Sequence, residues 1–134
     1  MQGYKHDGTT RTPGSQWISS INQNTDWLTS NDPCNLLLGS MWRIPAYTEW
    51  DNVSTAGGWT NWTDTWNSGL KLHAAGDLEL SFGLLANRGS FGFYWSSMQV
   101  SPTVGWNLTL GSGQGGLYSN SKPYAFPLRC IRNN

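Results

Sequence analysis

The chain has 134 residues, enough for one domain and too few for two comfortable ones, and aromatic residues make up 13% of it against 12% charged. Eight basic and eight acidic residues give a net charge of zero with no basic run, which argues against nucleic-acid binding. No stretch is apolar enough to cross a bilayer, and the first residues lack the apolar core of a secretion signal. We therefore expect a single domain, residues 1–134, with no membrane insertion and a core that relies on aromatic rings.

The N-terminal residues predict an extended segment followed by a short helix. Residues 1–14 are polar, contain Gly and Pro, and indicate an extended lead-in. Ser15 is placed to cap a helix in which Trp17, Ile18 and Ile21 lie on one face at helical spacing.

A second helix is predicted to begin at Pro45, because proline is favoured in the first turn of a helix. Tyr47, Trp50 and Val53 form its apolar stripe, and the Gly-Gly pair at 57–58 ends it.

The second half of the chain predicts short strands separated by loops. From residue 76 onward glycine recurs every few residues, which excludes long helices. Strict alternation predicts that Trp106, Leu108 and Leu110 of one strand point inward. Two helices followed by short, loop-rich antiparallel strands define an α+β fold. Strand-like segments are 70–72, 94–96, 106–110 and 126–130. The residues expected to form a buried aromatic core are Trp42, Trp50, Trp95, Trp106 and Phe126.

Four segments, taken in this order, resemble a known fold: Asp-Pro-Cys at 32–34, WRIPAYTEW at 42–50, NRGSFGFYWSS at 87–97 and AFPLRC at 125–130. They are similar to the C-type-lectin-like fold of bacterial surface domains and phage-encoded variable proteins. The second segment resembles a structural motif of formylglycine-generating-enzyme-like domains and of the Fibrobacter succinogenes major paralogous domain family. The resemblance implies a C-type-lectin-like domain that provides a rigid frame for a changeable surface.

The two cysteines, Cys34 and Cys130, leave three alternatives open on their residues alone: a reactive thiol, a structural disulfide or two buried free thiols. Neither lies in Cys-x-x-Cys, and no zinc-ligand spacing occurs. In the resembling proteins the cysteines of Asp-Pro-Cys and Leu-Arg-Cys are paired, so the resemblance implies a disulfide. Formylglycine-type enzymes need reactive cysteines close together, a pattern that these two do not match.

The sequence contains no recognisable catalytic or metal-binding pattern. His6 lies in the lead-in, His73 is isolated, and neither Gly-x-Ser-x-Gly nor His-Glu-x-x-His occurs. The Glu-Pro-Asn, Gln-Pro-Asp and Trp-Asn-Asp tripeptides of calcium-binding lectins are also missing. Glu49 is either a binding carboxylate beside Trp50 or, as we favour, a residue that stabilises the helix N-terminus. We expect no enzyme, no metal and no cofactor.

The C-terminal half predicts a variable surface. Several proteins of gut Bacteroides and phages that this chain resembles look like targets of diversity-generating retroelements, which rewrite adenines, typically in Asn codons. Phe91 and Phe93 lie next to glycines in a loop, and strand alternation turns Asn107 and Thr109 away from the leucines. The alternative for the two phenylalanines is that both rings are simply buried. Eight residues reachable from an Asn codon are expected to cluster on one exposed face: Asp77, Phe82, Leu84, Phe91, Phe93, Asn107, Thr109 and Tyr124.

The expected function is therefore a non-catalytic display domain that binds a protein or glycan receptor on a cell surface. The expected location is extracellular, on a bacterial surface or a phage virion. The first alternative is a structural or adhesive domain of the same fold without diversification. A formylglycine-type enzyme is a third, less favoured alternative.

Overall fold

The computed structural model describes residues 17–133, so the lead-in expected at 1–14 and the capping residue Ser15 lie outside the described residues. Within them the fold mixes helices and antiparallel sheets, which confirms the α+β class. The elements in chain order are a 3-10 turn Thr29–Asn31, α1 Pro33–Leu38, β1 Trp42–Arg43, α2 Tyr47–Gly57, α3 Trp62–Asn67, β2 Asp77–Leu78, β3 Leu85–Ala86, β4 Gly92–Ser101, β5 Val104–Leu110, β6 Gly115–Ser121 and β7 Ile131–Arg132.

The main sheet is antiparallel with the order β4-β5-β6, and there are two smaller antiparallel pairs, β1-β7 and β2-β3. Tyr94 pairs with Leu108, and Leu108 with Leu117, so these three side chains share one face. Trp95 pairs with Asn107 and lies on the opposite face. The sheet therefore has an apolar face, which meets the helices, and a second face described below.

The hydrophobic core forms where α2 packs on the apolar face. Its buried members are Trp50, Trp59, Leu72, Tyr94, Leu108 and Leu110. Of the five aromatic residues expected inside, Trp50, Trp95 and Phe126 are buried, as predicted. Trp42 and Trp106 are only half-buried, which corrects the prediction for these two. The Trp106 ring packs against the ring of Tyr47, with centroids 4.8 Å apart. Tyr47 is in the first turn of α2, so this contact lies at the margin of the core.

Helix α2 ends at the Gly-Gly pair as predicted but begins at Tyr47, two residues after the predicted start at Pro45. Glu49 stabilises this start. The Glu49 carboxylate accepts the Ala46 N–H at 2.8 Å and two N–H groups of Arg43 at 2.6 and 2.7 Å. These bonds, chiefly those from Arg43, hold the pKa of Glu49 below its ordinary value. At the other end Gly58 adopts φ +57°, the left-handed conformation common at helix C-termini. The contacts of Glu49 therefore support its role in helix architecture.

The helix expected around residues 17–21 does not form. Trp17 is buried, but Ile18 is 41% exposed, so the expected stripe is not buried as a unit. The indole N–H of Trp17 donates to the Leu80 carbonyl at 2.8 Å, and its ring lies against Gly83. Tertiary packing of one aromatic ring therefore overrides the helical spacing.

Two further local differences concern residues 61–72. The strand expected at 70–72 is absent because Lys71 adopts φ +50° and its N–H donates to Ser68 in a turn. Helix α3 was not predicted, although its N-cap is visible in the sequence. The Asn61 side chain accepts the N–H groups of Thr63 and Asp64, and Asp64 accepts the Asn61 N–H in return.

A disulfide joins Cys34 of α1 to Cys130 near the C-terminus, across a sequence separation of 96 residues, which confirms the expected pairing. The buried carboxylate of Asp32 supports this junction by accepting the N–H groups of Cys34 and Ile44, each at 2.8 Å. The disulfide therefore ties α1 to the residue that precedes β7, and Asp32 ties the start of α1 to the backbone that follows β1. None of the helices in residues 17–133 is both long and apolar enough to span a membrane.

Candidate functional site

The β2–β3 hairpin carries an exposed apolar tip, formed by Phe82, Leu84 and Leu85. Their exposed fractions are 68%, 57% and 59% respectively. Phe82 and Leu84 were expected at the surface, and Leu85 was missed. The signal for Leu85 was its position beside Leu84 in a short segment between glycine-rich turns.

The apolar tip is supported by a closed network of hydrogen bonds. The carboxylate of Glu79 accepts the N–H groups of Ser81 and Phe82, each at 2.7 Å. The Gly83 N–H donates to the Glu79 carbonyl, and the Glu79 N–H donates to the Leu84 carbonyl. The backbone N–H groups of Ser81 and then Phe82 hold the pKa of Glu79 below its ordinary value. The turn is therefore preorganised although its side chains are exposed.

Trp17 supports the same turn from behind. Gly83 adopts φ +69° and lies directly on the Trp17 ring, so a side chain at this position would collide with the ring. The indole bond to Leu80 fixes the ring in this position. Glycine is therefore required at 83 for both its backbone conformation and its close packing.

The base of the hairpin is attached to two segments of the main body. Leu78 and Ala125 exchange backbone hydrogen bonds at 3.0 and 3.1 Å. The Gly76 N–H donates to the Phe91 carbonyl at 2.8 Å. These contacts place the hairpin beside the residues that precede and follow the main sheet.

Five rings, which we call the aromatic stack, cover the second face of the main sheet: Phe91, Phe93, Trp95, Tyr124 and Phe126. Phe126 stacks on Trp95, Phe93 and Tyr124 with centroid distances of 4.4, 4.7 and 5.4 Å, and Phe91 stacks on Phe93 at 5.8 Å. Trp95 and Phe126 are buried, whereas the other three are half-buried. Phe91, Phe93 and Tyr124 therefore form the accessible edge of a packed cluster. For the two phenylalanines, the structure lies between the two alternatives, a fully exposed ring and a fully buried one.

Asn107 and Thr109 are buried, with exposed fractions of 0% and 3%, so the expectation that they lie at the surface is wrong. The alternation placed them on the correct face, opposite the leucines. That face is covered, however, because the neighbouring rings of Trp95 and Phe93 stack against Phe126. The Asn107 amide donates to Thr109 at 2.7 Å and accepts from Asn120 at 2.9 Å. These polar groups therefore satisfy one another beneath the rings.

Asp77 is also buried, with an exposed fraction of 3%, which corrects its expected place at the surface. Its carboxylate accepts the Asn87 amide at 2.7 Å across the β2–β3 pair. Burial raises the pKa of Asp77, the nearby Glu79 adds to the rise, and the bond from Asn87 partly offsets it. Asp77 therefore ties the base of the hairpin together.

One exposed ring near the stack was not expected. Tyr118 pairs with Asn107, which places it on the face of the aromatic stack, and it is 45% exposed. Tyrosine can be reached from an Asn codon, so the codon argument applied to strand β6 could have found it. The accessible surface therefore comprises the apolar tip, the edge of the stack and Tyr118.

Within residues 17–133 no three His, Cys, Asp or Glu side chains come together in a way that could hold a metal ion. No protein-family model, curated protein or solved structure matches this chain. The function must therefore be inferred from the residues and their geometry.

Proposed function

We propose that this chain is a non-catalytic binding domain of the C-type-lectin-like type, which presents the apolar tip and the edge of the aromatic stack to a protein or glycan receptor on a cell surface. The observation that carries the proposal is the exposure of Phe82, Leu84 and Leu85 on a turn closed by its own hydrogen bonds. Contiguous exposed apolar side chains mark interaction sites. A preorganised turn also loses little conformational entropy when a partner binds.

The surroundings of the tip favour a specific contact over simple apolar adhesion. Exposed polar residues border it on both sides: Ser81 lies within the turn, and Asn87 and Arg88 follow β3. An apolar centre with a polar rim is the usual anatomy of a protein interface. The half-buried Phe91, Phe93 and Tyr124 add rigid aromatic area at low entropic cost, as tyrosines do in antibody loops.

The finer assignment relies on the resemblance of the sequence to C-type-lectin-like variable proteins. The helix and strand order and the Cys34–Cys130 disulfide are compatible with it. Disulfides persist in oxidising environments, which supports a place outside the cell, on a bacterial surface or a phage virion. We further propose that a retroelement diversifies the accessible residues. Five of the eight codon-selected residues retain exposed surface: Phe82, Leu84, Phe91, Phe93 and Tyr124.

The binding proposal is tested on an array of extracellular proteins and surface glycans. Wild type is compared with Phe82→Ser/Leu84→Ser and with a matched control, Leu36→Ser/Leu37→Ser, which removes two leucines exposed by 66% and 82% on α1. The tip variant is expected to lose the receptor signal, and the α1 variant to keep it. Equal binding by wild type and the tip variant would contradict the proposal.

A structural or adhesive domain of the same fold is the second candidate, favoured by the exposed leucines of α1. Loss of binding or of self-association in the α1 variant alone would favour it. The DNA beside the gene separates the diversified from the non-diversified form. A reverse transcriptase gene and a template repeat that differs at adenines are expected if the surface is diversified.

A further inference from the structure

A concave site lies on the helix side of the molecule, away from the aromatic stack. A cleft of about 380 Å³ opens between α2, residues 69–72 and residues 129–131. This volume falls within the range of roughly 300–1,000 Å³ that small-molecule sites occupy. Its apolar walls are formed by Trp50, Val53, Leu70, Leu72 and Ile131.

The acidic group at this cleft, Glu49, is already neutralised. Both of its carboxylate oxygens accept N–H groups of Arg43, and one also accepts the Ala46 N–H. Glu49 therefore has little capacity left to attract a cationic ligand, and it forms a polar edge to the cleft.

The basic group at this cleft, Arg129, has no such partner. Within residues 17–133 the only ion pair joins Arg43 and Glu49. The guanidinium of Arg129 instead stands over the ring of the buried Tyr94, 6.0 Å from its centroid. Arg43, Glu49 and Arg129 together leave one positive charge uncompensated at the mouth of an apolar cleft.

We infer that this cleft binds a small amphipathic monocarboxylate. The apolar tail lies against Val53, Leu70 and Ile131, the apolar lining residues that retain exposed surface, and the carboxylate pairs with the guanidinium of Arg129. A planar guanidinium offers parallel N–H donors that match the two oxygens of a carboxylate. A ligand with an ammonium group would face the same positive charge, and a neutral one would leave it unpaired. This site is separate from the surface proposed for receptor binding.

The experiment compares octanoate, octanol and octylammonium as probes of one chain length and three charges. Each is titrated into ¹⁵N-labelled protein while the indole N–H signal of Trp50, assigned with Trp50→Phe, is followed. Octanoate is expected to shift this signal saturably and to bind more tightly than octanol, and octylammonium to bind least. Arg129→Gln should weaken octanoate binding by at least about tenfold, because it removes a charge-assisted hydrogen bond. Arg132→Gln is the matched control, since Arg132 is exposed and does not line the cleft.

Several results would overturn the inference. They are the lack of a saturable Trp50 shift with octanoate, equal affinity for octanol and octanoate, and equal weakening by Arg129→Gln and Arg132→Gln. Dispersed indole signals show that each variant is folded. If Arg129→Gln fails this check, Arg129→Lys is used in its place. This variant keeps the positive charge but loses the planar guanidinium, so it is expected to bind octanoate more weakly than wild type. A further variant, Val53→Trp, fills the cleft and is expected to abolish octanoate binding.

Discussion

The ring of Phe93 stacks on the ring of Phe126, with centroids 4.7 Å apart and planes inclined by 17°. Phe93 belongs to β4, whereas Phe126 belongs to the segment between β6 and β7. The contact therefore joins the main sheet to the end of the chain, on the same side as the covered residues Asn107 and Thr109. The aromatic stack consequently serves two purposes, because its inner rings hold the fold and its outer rings remain accessible.

This division predicts different consequences for two phenylalanines. Phe93→Ser should lower the free energy of unfolding by about 2 kcal/mol, less than full burial would cost, because a half-buried ring and its stacking contacts are lost. Phe82→Ser should change the free energy of unfolding by less than about 0.5 kcal/mol, because the ring is 68% exposed. Urea denaturation measures both values. Equal destabilisation by the two substitutions would show that Phe82 contributes to the core.

The disulfide is predicted to be a major source of stability. In the chain-entropy model, a bond that spans 96 residues stabilises the fold by about 4 to 5 kcal/mol. Reduction, or the double substitution Cys34→Ser/Cys130→Ser, should lower the urea midpoint accordingly. Coincident unfolding curves for the oxidised and reduced protein would contradict this. The buried Asp32, which bonds to the backbone of Cys34 and Ile44, is expected to hold the loop partly in place after reduction.

The sequence was most informative where the signals that determine an element lie within or next to that element. Helix α2 could be predicted because its apolar stripe lies within it, and because Pro45 and the Gly-Gly pair mark its two ends. The inward phase of Leu108 and Leu110 followed from alternation alone. The resemblance supplied the pairing of the two cysteines, which their spacing alone left open.

The remaining features depended on contacts between segments distant in sequence. Alternation predicts which face of the sheet Asn107 occupies. It does not predict that Phe126, from the segment after β6, packs over this face and covers it. Trp17 is held in place by its contacts with Gly83 and Leu80. Its helical spacing to Ile21 therefore did not produce a helix. The burial of Asp77 depends on a nearer partner, because this residue pairs with Ala86 across the β2–β3 hairpin. Three of the eight predicted site residues, Asp77, Asn107 and Thr109, are therefore buried by packing that lies outside their own strands.

The pair formed by Arg43 and Glu49 predicts a loss of stability in acid. Folding lowers the pKa of Glu49, so its contribution is present above the ordinary carboxyl pKa of about 4.3 and is lost as the pH falls through the lower folded value. Glu49→Gln should cost about 1 kcal/mol at pH 7, because both side chains are about one third exposed, and progressively less below pH of about 4. Asp51→Asn, an exposed residue of the same helix, is the control. A cost that is independent of pH would contradict the role of the ion pair.

Asp77 is predicted to show the opposite dependence on pH. Folding raises its pKa, so the fold is favoured when this carboxyl is protonated, and that contribution is lost as the pH rises through the raised value. Asp77→Asn keeps an oxygen for the Asn87 amide and removes the buried charge. The variant should therefore be at least as stable as wild type at pH 7, and its advantage should disappear below the ordinary value of about 3.9. Thermal melts at pH 3 and pH 7 measure the difference, and a variant that is less stable only at pH 7 would contradict the assignment.

Lys122 is predicted to fasten residues 23–27 to the main sheet. It is fully buried, and its ammonium donates to the Gln23 carbonyl at 2.7 Å and to the Gln99 side chain at 2.6 Å. Burial lowers the pKa of Lys122, and the negative charge of Asp26 partly offsets this. Lys122→Met should cost about 2 kcal/mol, because two acceptors lose a charged donor.

Hydrogen exchange distinguishes a local role of Lys122 from a general one. The N–H groups of Gln23 and Trp27 bond to Pro102 and Ser97, so they should exchange faster in Lys122→Met than the global loss of stability accounts for. Lys71→Met provides the control, since Lys71 is exposed and undergoes the same change of side chain. If the Gln23 and Trp27 amides keep their protection while the whole protein is destabilised, Lys122 acts on the sheet alone and does not fasten this segment.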